Sequence, residues 1–216
     1  MAAQAETDGI EAICATPHIR HDHDVRIGEL PDRLTALRHA ISAAGCRTSL
    51  LPGGEVAVST LDRLDDDELA AVSLGGSRRW ILLEPDPGPL DDSLHAAVAA
   101  LRNRGFRSLI AHPERHLAAD LIARLQRLTA EGALVQATAE HLVDPPTREG
   151  MLALGAAGVI HVLGSDAHSS RWGRPVALTP ALAALSTLPS LAPHMTWIAE
   201  TAPRGIVAGD ELTAPF

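Results

Sequence analysis

One unit recurs along the chain: a short apolar run, a polar corner, then an amphipathic stretch that a glycine often ends. The apolar runs fall at 12–16, 49–58, 80–83, 108–111, 133–138 and 159–163. Amphipathic stretches fall at 28–44, 91–104, 118–129 and 147–157. Short apolar runs bounded by turn residues read as strands buried on both faces, and a 3.6-residue period reads as a helix. Their alternation through short connections restricts the chain to an α/β fold, a mostly parallel sheet with helices outside it.

Local signals agree. Leu30, Leu34, Leu37, Ile41 and Ala44 share one helical face, and Gly45 follows at the usual stop. Asp91 is placed to cap the stretch that ends at Arg104, with Gly105 beyond it. The second run is broken by Gly53-Gly54-Glu55, and an acidic stretch, 62–68, leads a short helical segment. From Thr179 onward the pattern is helical pieces broken by prolines. No linker or repeat divides the 216 residues, so a single domain over 1–216 is expected. With 46% hydrophobic residues but only 2% aromatics, Ala, Leu, Val and Ile must build the core.

Composition also excludes. The net charge is −9 and no basic stripe is present, which argues against nucleic acid as a partner. No apolar run reaches the roughly 20 residues of a membrane span, and the N-terminus carries no leader-like pattern. Cys14 and Cys46 lack a paired spacing and read as small buried hydrophobes. A reducing cytoplasm is the expected location.

The unusual count is 11 histidines. In parallel α/β sheets, sites form at the C-terminal ends of the strands. The residues there are His18, Glu55, Glu84, His112 and Asp166, with His168 two residues further on. Five of the six runs deliver a ligand-type side chain to one rim. Any one of them alone reads as a loop or solvated residue; the coincidence is what burial does not explain. Imidazole and carboxylate together suit Mn, Fe, Zn or Mg, and without a thiolate a structural zinc site is disfavoured. Six ligands exceed one tetrahedral site, so a multinuclear centre is expected, of the kind that activates water against a phosphoryl group. Arg115, in His112-Pro113-Glu114-Arg115-His116, and Arg174, in Arg171-Trp172-Gly173-Arg174-Pro175, are candidate phosphate contacts.

The motifs Thr16-Pro17-His18, Gly54-Glu55, Leu83-Glu84, Ile110-Ala111-His112-Pro113-Glu114-Arg115 and Ser165-Asp166-Ala167-His168, in this order, resemble the PHP (polymerase and histidinol phosphatase) superfamily. Within it, the His-Pro-Glu-Arg stretch and the later Gly-Arg-Pro are most similar to the bacterial CpsB-type metal-dependent protein-tyrosine phosphatases. The resemblance runs from about Ala5 to Leu212.

It implies a distorted (β/α)7 TIM-like barrel and a centre of up to three divalent ions, often manganese. It implies His18, Glu55, Glu84, His112, Asp166 and His168 as ligands, with Arg115 and Arg174 on the phosphate. The implied reaction is hydrolysis of phosphotyrosine by metal-bound hydroxide, on a partner protein such as a bacterial tyrosine kinase of capsule or exopolysaccharide regulation. Self-association is left open. The family's opening strand, with its His-x-His, has no counterpart here, so the barrel is expected to lack its first βα unit and to hold fewer ions. His21-Asp22-His23 has that composition but stands in a loop after a strand. Two other readings remain: a phosphatase acting on a small molecule such as histidinol phosphate, and a non-catalytic remnant that binds partners or one metal.

Overall fold

The computed structural model describes residues 1–116 and 118–216. Helix α1 (Ala2–Thr7) opens the chain. Strands β1 (Ala12–Cys14) and β2 (His18–Ile19) follow, then α2 (Leu30–Ala43), β3 (Ser49–Leu51), β4 (Glu55–Ala57) and α3 (Asp66–Ala71). Next come β5 (Trp80–Glu84), α4 (Asp92–Asn103), β6 (Arg107–Ala111), α5 (Leu121–Ala130), β7 (Leu134–Thr138), α6 (Pro145–Ala156) and β8 (Val162–Gly164). Helices α7 (Thr179–Leu185) and α8 (Ala202–Ala208) complete the order. None of the helices is long and apolar enough to cross a membrane, among the described residues.

Every ladder is parallel. Strands β1 and β3 pair, and a six-stranded sheet runs β2-β4-β5-β6-β7-β8. The two sheets are one strand pair interrupted by prolines. Ala12 faces Ser49 and His18 faces Glu55, so the register passes unbroken over Pro17 and Pro52. Backbone bonds from Ala15 N–H to the Leu51 carbonyl and from Glu55 N–H to the Pro17 carbonyl, each 2.9 Å, bridge the gap. Proline has no N–H to give the ladder, so the regular pattern stops there while the pairing continues.

Neighbours in space are thus neighbours in sequence, with no reversal of strand order. Period-two alternation divides the side chains between two faces. Val56, Ile81, Leu83, Ile110, Val135 and Leu163 pack outward with Leu94, Val98, Leu101, Leu125, Leu128 and Met151 of the helices. Trp80, Leu82, Leu109, Ala111, Leu134 and Val162 form the inner face, closed over by Ala202 and Ile206 of α8. His18, Glu55 and Glu84 belong by alternation to the inner set.

The expected barrel does not close among the described residues. Strands β2 and β8 pair on one side only, and both are short: two residues behind Pro17 and three residues before a turn. The sheet is therefore open along its backbone.

Candidate metal centre

Parallel strands ending on the same side bring all six expected ligands and both expected arginines to one rim. His18 and Glu55 are cross-strand partners. His18 Nδ1 lies 2.6 Å from Glu55 Oε2, a close ion-pair contact between the two strands. Glu84 joins them: one ligand atom from each of His18, Glu55 and Glu84 lies within 4.8 Å of the others.

His112 sits between the two carboxylates, with Nε2 3.2 Å from Glu55 Oε1 and 3.6 Å from Glu84 Oε1. It is 2% exposed. Its backbone is left-handed, φ 35° and ψ 61°, which turns the imidazole back over the strand ends instead of along the following Pro113–Arg115 turn. Asp166 also has positive φ, 47°. Such backbones are uncommon outside glycine and cluster at functional sites.

Across the opening between β2 and β8, His18 Nε2 and His168 Nε2 are 3.1 Å apart. The strands leave this gap unpaired, and the rim side chains bridge it. Asp166 Oδ2 accepts from Arg115 Nη2 at 2.5 Å and from Arg174 Nη2 at 2.6 Å. The Asp166 carbonyl accepts from Arg174 Nε and His168 Nδ1, both at 2.9 Å. Each guanidinium has five N–H groups, so both arginines keep donors for a further anion.

Electrostatics favour a cation among the acids. Glu55 and Glu84 are buried, and Asp166 is nearly so. Burial alone would raise the Glu55 carboxyl. Hydrogen bonds from His112 and His18, with the charges of both, outweigh it and hold the group below its ordinary value. The N and O donors, clustered without a thiolate, fit a hard or borderline divalent ion.

The sequence reading missed two groups. Arg20 reaches Glu84 Oε2 through Nη1 at 3.3 Å while gripping Asp22 with Nε and Nη2 at 3.0 and 3.1 Å. The available signal was its place two residues beyond His18, on the same side of an extended segment. His116 stacks on His112 with ring centroids 6.3 Å apart, and its Nδ1 lies 2.6 Å from the Gly88 carbonyl. His23 packs against the His18 ring at 4.7 Å and contacts Asp22. His21 lies exposed in the same loop.

A parallel α/β sheet with a His/Glu/Asp cluster on its C-terminal rim defines a class, that of metal-site α/β proteins. Its family follows from the sequence. Residues 1–187 match the model of the family described as capsular polysaccharide synthesis, CpsB/CapC, and the chain belongs to that family. The curated proteins yield no match. Among solved structures, it is similar to a chain from the crystal structures of YwqE from Bacillus subtilis and CpsB from Streptococcus pneumoniae, described as unique metal-dependent tyrosine phosphatases. The TM-score is 0.81 at 23% identity, over 97% of this chain and 85% of that one. At that identity the likeness establishes a shared fold.

Proposed function

We propose that the chain is a metal-dependent phosphomonoesterase that hydrolyses phosphotyrosine on a protein. The carrying observation is the convergence of His18, Glu55 and Glu84 within 4.8 Å, beside two arginines that share Asp166. His112, Asp166 and His168 extend the ligand set. Divalent ions held there, manganese first among Mn, Fe, Zn and Mg, would activate a water and neutralise charge on the phosphoryl oxygens.

The chain's own residues do the rest. Arg115 and Arg174 orient a phosphate through their free N–H groups. Asp166 holds both guanidiniums in place. Arg20 supports Glu84 from behind. The inner apolar face under the rim, Leu82, Leu109 and Ala111, keeps water from the back of the site.

The same proposal reads residues 1–216 as one PHP-type domain whose sheet is a section of a (β/α) barrel. Sequential strand order and the His18–His168 contact across the opening support that reading. The solved relatives are described as tyrosine phosphatases, which supports the substrate. A tyrosine kinase of capsule export is the corresponding partner.

The test is metal content after purification, then turnover of p-nitrophenyl phosphate and a phosphotyrosine peptide with and without added Mn. Expected are bound divalent metal and Mn-dependent turnover that a chelator removes. No metal uptake together with no turnover would leave a non-catalytic protein and overturn the reading.

A further inference from the structure

The chain has only five aromatic residues, three Trp and two Phe. Trp80 and Phe106 are buried, and Trp197 and Phe216 pack half-buried against the core. Trp172 stands apart at 81% exposure. A large apolar side chain gains stability by burial, so in a chain this poor in aromatics an exposed indole contributes little to the fold.

Its position is the informative part. Residues 169–173 form a loop between His168 and Arg174, and both ends of that loop are fixed on the site. At one end, Ser169 Oγ accepts from the backbone N–H of Arg171 at 3.1 Å and of Trp172 at 3.3 Å. The Trp172 backbone is thus one hydrogen bond from the side chain next to His168. At the other end, Arg174 grips Asp166 through both its carbonyl and its carboxylate. Gly173, φ 80°, makes the turn between them. Arg171, beside the indole, forms no ion pair among the described residues, although the chain as a whole carries −9.

Local cations next to an exposed indole are complementary to one kind of ligand: a phosphate dianion joined directly to an aromatic ring. The arginines take the charge. The indole offers its face or edge to the ring, an interaction an alkyl phosphate cannot make. Resting on the phosphomonoesterase reading above, we propose that Trp172 is the specificity-determining residue of this site, selecting aryl over alkyl phosphomonoesters by packing against the ring of the leaving group.

The test uses binding as well as turnover. Phenylphosphonate and methylphosphonate are titrated calorimetrically into the Mn-loaded protein and its Trp172→Ala and Trp172→Phe variants. The wild type is expected to prefer phenylphosphonate by about three- to tenfold, the range for one aromatic pair. Trp172→Ala should lose most of that preference and Trp172→Phe should keep most of it. In parallel, KM for a phosphotyrosine peptide should rise several-fold in Trp172→Ala, with kcat less affected. A preference that survives in Trp172→Ala, or an unchanged KM, overturns this inference and leaves the phosphatase reading intact. A Trp172-dependent preference with no turnover of any phosphomonoester overturns the phosphatase reading alone. Failure to bind either phosphonate overturns both.

Discussion

At the scale of single residues, the site is built by backbone as much as by side chain. Among the described residues three non-glycine residues adopt positive φ, and two of them, His112 and Asp166, are candidate ligands. Strain of this kind costs about 1–3 kcal/mol and persists where the surroundings over-determine it. Asp166 is held by Arg115 and Arg174 at once. Asparagine tolerates the left-handed region as well as aspartate does, so Asp166→Asn removes the charge and leaves the conformation. Stability is expected to fall by about 1–3 kcal/mol, because two arginines lose a shared, nearly buried partner, while Mn-dependent turnover falls by roughly 10- to 100-fold. Thermal unfolding and turnover on one preparation check this; an Asn variant that keeps most of its activity would remove Asp166 from the site. The ligand-type residues were legible because periodicity locates strand ends and their chemistry is distinctive. Arg20 was not read, although its place two residues beyond His18 was a signal, because its reach to Glu84 also depends on the Asp22 grip within the loop.

Elements were legible to the extent that local pattern controls them. Asp91 does cap α4, accepting from Ser93 N–H at 2.9 Å, and the glycines at 45, 105, 132 and 158 follow helix ends at positive φ. The apolar run at 159–163 misleads at its start: Val159 and Ile160 are buried under the outer helices, and the paired strand begins only at Val162. Burial and strand pairing are different demands that the same residues satisfy. The break at Gly53-Gly54 was visible, but its reason is tertiary. A Cβ on Gly54 would stand 2.8 Å from Val72 Cβ and 3.0 Å from Ile19 Cγ1. The strand carrying Glu55 lies that close to the segment after α3. Gly54→Ala is therefore expected to lose about 1–3 kcal/mol of stability by overpacking. It should also weaken metal binding, because the shift falls on the residue before Glu55. Denaturant unfolding and a metal titration measure the two effects. Unchanged values in both would mean the contact relaxes freely and the close approach does not position Glu55.

For the molecule as a whole, the sequence order of units predicted the sheet order, because short connections leave a strand no neighbour but the next. Closure was not legible from periodicity, since it depends on whether two edges far apart in sequence find each other. What joins the far parts here is side-chain packing, and His161 is one such joint. It is 2% exposed, its Nδ1 accepts from Val135 N–H at 3.1 Å, and its ring stacks on Phe216 at 5.8 Å and meets Trp197 edge-on at 6.3 Å. It thus links the sheet to the C-terminal end of the chain. Burial pushes its pKa down from 6.5 to about 4. The folded protein holds the ring neutral while the unfolded chain protonates it below pH 6.5, so folding excludes a proton. The contribution of the neutral ring is fully present above pH 6.5, is lost as pH falls from there to 4, and is constant below that. The full loss is about 3 kcal/mol. His161→Asn keeps an oxygen acceptor near the Val135 N–H and does not titrate. The difference in urea unfolding free energy between wild type and His161→Asn should be flat above pH 6.5 and should turn against the wild type by about 3 kcal/mol toward pH 4. If the two lose stability in parallel through that window, the acid sensitivity of this fold comes from its carboxylates and not from the joint at His161.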